Sequence, residues 1–195
     1  MVVKQTNTRQ VILDTAQELV AQKGYAAVGL TEVLTAADVP KGSFYHYFDS
    51  KDAFGEAMMQ GYFDDYLANM DRIIAAPGRT YADRLMTYWQ QFRDKQLVGD
   101  CQGRCLVVKL AAEVCDLSES MRAVLKDGTA GIIDRVETMV KGGLEDGSLS
   151  IEGAPRLTAD ALYQAWLGAS VLAKVNRNPG HLDRAMALTR QMLHL

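Results

Sequence analysis

The sequence predicts an all-α protein of about nine helices, on three observations. Apolar residues recur at spacings of three and four through most of the 195 residues. Glycine, proline and small polar residues interrupt that rhythm at intervals suited to helix lengths. No stretch alternates polar and apolar residues as a half-buried strand does, and no segment repeats internally. With 48% hydrophobic and 23% charged residues, the chain has the material for a substantial core. No apolar run reaches the roughly 18 to 20 residues a membrane span needs. The opening MVVKQTNTRQ lacks the basic, apolar and small order of a secretion signal. The expectation is a cytoplasmic protein with no membrane contact.

The elements follow in order. Ile12, Ala16, Leu19 and Val20 repeat at helical spacing in a first helix, with Thr8 as the expected cap and Gly24 as its stop. TEVLTAADVPKGSFYHYF, residues 31–48, reads as a short helix, a sharp break and a second short helix. Thr31 is the expected cap of the first, Asp38 turns the chain, and Pro40 suits the first turn of the second. Ser50 caps a long helix over about residues 51–75, closed by Ala76, Pro77 and Gly78. Another helix covers about 80–97, and VGDCQGR, residues 98–104, reads as a loop. CLVVKLAAEVCD, residues 105–116, is a short, very apolar helix, followed by a long helix over 118–145 with Gly142, Gly143 and Gly147 at its end. Pro155 opens RLTADALYQAWLGASVLAKV, which NRNPG breaks before a last helix over about 181–193. The chain therefore divides into a helix-turn-helix module over residues 1–50 and a larger helical body over residues 51–195.

The stretch PKGSFYHYFDSKDAF, residues 40–54, crowds four aromatics and a histidine into five positions. Phe44 and Phe48 are four apart and anchor one helix face to a small core. Tyr45, His46 and Tyr47 cannot all face inward from one helix, so they are expected outside, within reach of phosphates and base edges. In a helix-turn-helix the early residues of the second helix meet the bases. Those residues are Lys41, Gly42 and Ser43, and Gly42 allows close backbone approach. Lys51 opposes the dipole of the helix it opens, an objection that disappears beside a phosphate. The candidate DNA contacts are thus Thr31, Lys41, Gly42, Ser43, Tyr45, His46, Tyr47 and Lys51.

Charge restrains this reading without excluding it. The net charge is −3, and the first fifty residues hold four basic side chains against five acidic ones. Placed cations, not a basic coat, would have to hold nucleic acid. Three cysteines in a chain with no secretion signal do not form a disulfide framework, and the three histidines show no zinc-ligand spacing. No phosphate loop or dinucleotide fingerprint is present, and no histidine is placed to serve a nucleophilic cysteine. No cofactor and no catalytic activity are expected.

LTEVLTAADVPKGSFYHYFDSKDAF, on its supporting first helix, resembles the DNA-binding domain of the TetR family of transcriptional regulators. Tyr45, Phe48 and Lys51 match that family's pattern, while Asp38 stands where the family has glycine. The resemblance implies a homodimeric, usually repressing protein on a palindromic double-stranded operator. It also implies a dimer built from the last two helices, residues 155–193. Leu162, Trp166, Ala169 and Ala173 form a stripe there suited to a partner, and equally suited to an internal core.

Within the family, VPKGSFYHYF, VKLAAEVCDLSE, WLGA and Lys174 resemble the subgroup of N-ethylmaleimide reductase repressors, which respond to electrophiles and oxidants through cysteine. The resemblance makes Cys105 the sensing candidate. It stands near a helix start beside Arg104 and four residues before Lys109, surroundings that favour a thiolate; alternatively it is a buried, inert thiol. Cys115 is expected to be buried among apolar neighbours. Cys101 is a candidate resolving thiol in the loop, and Lys174 a candidate neighbour of the reactive sulfur or a solvated lysine. A second reading has an apolar small-molecule effector lodged among Met58, Met59, Tyr62, Tyr88, Trp89, Phe92 and Tyr163, which are otherwise core.

Overall fold

The computed structural model describes residues 8–101 and 105–195. Among them are nine helices and no strand: α1 Thr8–Lys23, α2 Leu30–Ala36, α3 Lys41–Tyr47, α4 Lys51–Ile74, α5 Tyr81–Cys101, α6 Leu106–Leu117, α7 Glu119–Glu145, α8 Pro155–Asn176 and α9 Gly180–Met192. The all-α expectation holds. Arg104 lies outside the described residues. No described helix is long and apolar enough to cross a membrane.

The chain forms two compact units. One takes residues up to 65 together with 109–128, and the other takes 66–108 with 129–195. The long helices α4 and α7 and the shorter α6 each contribute to both.

In the first unit, α2 and α3 have seven residues each, too short to persist alone, so they depend on what they bury. Val33, Leu34 and Phe44 are buried, as are Ile12, Leu13, Ala16 and Val20 of α1. Phe44, Phe48 and Phe54 form a ring cluster with centroids 5.0 to 5.3 Å apart, each pair contributing about 0.5–1.5 kcal/mol beyond its burial. Gly24 ends α1 at φ +93°, a left-handed turn that glycine makes without strain. Asp38 makes the break between α2 and α3 at φ +54°, with the Val39 amide donating to Leu34 at 2.9 Å. Ser50 caps α4 through Oγ to the Ala53 amide at 3.0 Å. The expectation for Thr31 is corrected: α2 starts one residue earlier, Gly29 is its cap, and Thr31 lies inside the first turn.

In the second unit, Trp89 of α5 stacks on Trp166 of α8, centroids 4.9 Å apart and planes within 3°. The Trp166 indole donates to Thr189 of α9 at 2.9 Å, and Thr189 in turn donates to the Ala185 carbonyl at 2.8 Å. Asp71 of α4 receives two bonds from Arg135 of α7 at 2.7 and 2.8 Å. One expectation changes here. Helix α5 runs on through Cys101, which closes it at φ +60°, so residues 98–101 are not loop. Of the α8 stripe, Leu162, Trp166 and Ala173 are buried within their own chain and Ala169 is half-buried, the internal-core alternative of the two readings.

Gly128 of α7 brings its backbone against Phe63 of α4; a Cβ there would stand 2.3 Å from the ring. The ring is buried and has nowhere to retreat. A Gly128→Ala variant should lose about 1–3 kcal/mol of stability, the usual cost of overpacking, measurable by urea unfolding.

Candidate nucleic-acid interface and thiol site

Burying Phe44 and Phe48 turns the other side of α3 outward. Tyr45 is 62% and Tyr47 38% exposed, and Lys41, Gly42, His46 and Lys51 are exposed with them, while Ser43 is half-buried. Thr31 and Lys41 share a surface cleft of about 380 Å³ that also takes in Thr35, Asp38 and Pro40. The structure therefore brings together the α2 start and the α3 start. It adds Thr35, which sequence reasoning had not singled out although it lies one helical turn after Thr31. Arg9 was also missed: its guanidinium lies 5.3 Å over the Phe48 ring, setting a cation beside the aromatic run. Lys51 reaches over the Tyr25 ring at 5.1 Å, and the Tyr25 hydroxyl donates to the Lys51 carbonyl at 2.9 Å. Burial, with the Asp52 charge, pushes the Tyr25 phenol up to about 12, so this bond persists across the neutral range.

The turn after α1 is held from α6. Glu113 accepts the backbone N–H groups of Tyr25 and Ala26 at 3.1 and 2.5 Å, and Lys109 donates to the Gln22 carbonyl at 3.1 Å. The cation on a last carbonyl of α1 suits the negative end of that helix's dipole, and the carboxylate is held by charge-assisted bonds from two amides beyond the helix. The spacing of Lys109 and Glu113, four apart on one face of α6, was readable from the sequence; their partner was not.

Cys105 immediately precedes that same helix and is buried, at 8% exposure. The cations expected around it are placed as follows. Lys109 is engaged with Gln22. Lys174 is half-buried on α8, on the face that carries Tyr163 and Ser170. Two buried phenols feel the Cys105 charge. Burial first, then the charge of Cys105, raises the Tyr163 phenol; burial raises that of Tyr88, offset in part by a hydrogen bond with Tyr66 and reinforced by Cys105. The Tyr66 and Tyr88 hydroxyls stand 3.0 Å apart. Cys101 is buried as well. Cys115 is exposed, against expectation: Leu110 and Val114 occupy the buried face of α6, and the next residue points about 100° away from it. Of the effector-pocket candidates, Tyr62 is half-buried and the others are buried. Trp89 sits against Tyr88 and Phe92, and its buried indole N–H has no partner among the described residues.

Removing the Glu113 carboxylate orphans two backbone amides. A Glu113→Ala variant should be destabilised by about 1–3 kcal/mol, with faster hydrogen exchange at Tyr25 and Ala26 than at α5 amides.

Comparison with known proteins agrees with this architecture. Residues 12–58 match bacterial regulatory proteins of the tetR family, and residues 82–189 match the tetracyclin repressor-like C-terminal domain. The HTH-type transcriptional repressor NemR of Escherichia coli K12 is 38% identical over 187 residues, covering 96% of this chain and 94% of that one. The transcriptional regulator AcuR of Cereibacter sphaeroides is 32% identical, covering 89% and 79%. The crystal structure of the reduced form of E. coli NemR superposes with a TM-score of 0.91, covering 96% of this chain and 97% of that one. With a helix-turn-helix after a supporting first helix and matches along nearly its whole length, the chain belongs to the tetR family of bacterial regulatory proteins.

Proposed function

We propose that this tetR-family protein is a repressor that binds a palindromic double-stranded operator as a homodimer and leaves it when Cys105 reacts with an electrophile or oxidant. One observation carries the reading: the buried thiol opens α6, and Glu113 and Lys109 on that helix grip the end of α1 in the helix-turn-helix unit. A change of volume or bonding at Cys105 would act on the residue that leads directly into α6. Tilting α6 would move α1 and, with it, the spacing of two recognition helices that must sit roughly 34–36 Å apart on DNA. The relative of known structure, described as a reduced form, supports a role for redox state.

The chemistry is simple in outline. Cys105 thiolate adds to the double bond of an electrophile, which takes up a proton at carbon. With hypochlorite, the sulfur is oxidised by two electrons to sulfenic acid as chloride leaves. The sulfenic acid then condenses with an amine or thiol, losing water. Lys174 and Cys101 are the candidates for that second group. The Tyr88 and Tyr163 hydroxyls, neutral throughout the physiological range, are suited to donate to an anionic sulfur.

For the dimer, the support is an apolar surface on α8 and α9 that the chain leaves uncovered. Leu157 and Val175 are 69% and 73% exposed, and Val171, Leu172 and Leu188 are exposed with them. A second copy covering that face would complete a four-helix bundle. A second reading, induction by an apolar molecule bound reversibly in the body, is favoured by the unpartnered Trp89 N–H, a buried donor suited to a ligand acceptor.

The test is binding to a fluorescent DNA of the protein's own upstream region, with and without N-ethylmaleimide or hypochlorite. Wild type should lose affinity on treatment by about 5- to 150-fold, the usual range of allosteric coupling, and Cys105→Ser should not. Equal, tight binding by both proteins after treatment refutes the thiol switch and favours the reversible ligand. On the same DNA, Lys41→Gln should weaken binding for all sequences alike and reduce the salt slope by about 1.

A further inference from the structure

A cleft of about 330 Å³ opens between the end of α4 and α5, lined by Arg72, Arg79 and Arg84 with Asn69, Thr87 and Gln91. That size is at the low end of the roughly 300–1,000 Å³ typical of small-molecule sites. Three guanidiniums around one small space repel one another unless carboxylates intervene. Asp71 and Asp83, the carboxylates nearest in sequence, and Asp146 each hydrogen-bond elsewhere. Asp71 is held by Arg135 through two bonds, which keep its carboxyl below the ordinary range. Asp83 turns back to the Thr80 hydroxyl at 2.8 Å. Asp146, which feels the Arg84 charge, receives the Tyr81 and Ser148 amides at 2.8 and 2.9 Å. Among the described residues, no ion pair includes any of the three arginines.

The cluster is also held in place. Arg84 donates to the Ala76 carbonyl at 2.9 Å and lies 4.4 Å over the Tyr81 ring, while its buried Nε has no partner among the described residues. Arg79 donates to Thr87 at 3.1 Å, and Arg72 reaches only the Ala68 carbonyl, at 3.4 Å. A guanidinium has five donors in a fixed fork that matches phosphate and carboxylate oxygens, so most of this donor capacity is unspent on the protein. An adjoining cleft shares Arg79, Thr87 and Gln91 and adds Asp83 and, from α9, Arg190.

We propose that this cleft binds a small polyanion bearing phosphate or carboxylate groups, gripped by Arg72 of α4 and by Arg79 and Arg84 at the start of α5. Such an anion would supply the missing countercharge and tie the end of α4 to α5 through bidentate bonds. The site is independent of Cys105 and of the DNA-binding surface.

The experiment is calorimetric titration of the full chain with pyrophosphate and, separately, citrate, at constant ionic strength set with sodium chloride. Wild type should bind one of these saturably at one site per chain. Arg72→Gln and Arg79→Gln, both at exposed positions, should bind at least about tenfold more weakly while keeping the wild-type melting temperature in the absence of anion. Lys141→Gln, which removes a cation engaged by Glu137 on α7, should bind as wild type does. Saturation by pyrophosphate alone assigns a phosphate ligand, and saturation by both assigns polyanions in general. Heats that do not saturate, or equal weakening by Lys141→Gln, would mean charge screening at the surface and overturn the proposal.

Discussion

A single carboxylate holds the turn on which the helix-turn-helix unit depends. When α1 stops at Gly24, its last carbonyls and the amides just beyond lose their helical partners. Glu113 takes the Tyr25 and Ala26 amides, and Lys109 takes the Gln22 carbonyl. Both side chains come from one face of α6, so the end of α1 is fixed to that helix by two charge-assisted contacts of opposite sign. Tyr25 extends the link: its hydroxyl reaches the first residue of α4, which follows the recognition helix. The orientation of the short helices is therefore tied to an element from much later in the chain.

The recognition helix owes its chemistry to a packing requirement. Seven residues cannot hold a helix alone, and Phe44 with Phe48 and Phe54 supplies the missing stability. Once Phe44 is inside, the geometry of a helix sends Tyr45, His46 and Tyr47 outward. Flat side chains with polar edges then stand beside Lys41 and Lys51 on a chain whose overall charge is negative. Local placement thus accomplishes what composition does not.

In the second unit the two tryptophans decide what remains available. Stacking Trp166 on Trp89 and bonding it to Thr189 consumes the apolar stripe of α8 that the sequence offers most visibly. The face left open is the flank of Leu157, Val171, Leu172 and Val175. Pairing has a parallel effect on charge. Arg135 takes Asp71 and Asp83 turns to Thr80, so among the described residues no ion pair includes Arg72, Arg79 or Arg84.

Much of this was decided by the sequence alone. Helical periodicity, the Ser50 cap, the glycine stop at residue 24 and an aspartate able to take a left-handed turn at residue 38 are local properties, and local chemistry settles them. The outward run of Tyr45 to Tyr47 follows from the same geometry, as does the place of Cys105 beside the start of α6. Other features only the tertiary structure decided. A stripe at spacings of three and four says that a helix face is covered, not whether its own chain or a partner covers it; only the fold shows Leu162, Trp166 and Ala173 buried within their own chain. Cys115 has apolar neighbours in sequence, yet it lies a third of a turn from the buried ones. The phenols that feel the Cys105 charge, the grip of Glu113 on α1 and the arginine cleft all involve residues from separate helices. Periodicity within a helix carries no information on which helices meet, and only packing of the folded chain supplies it.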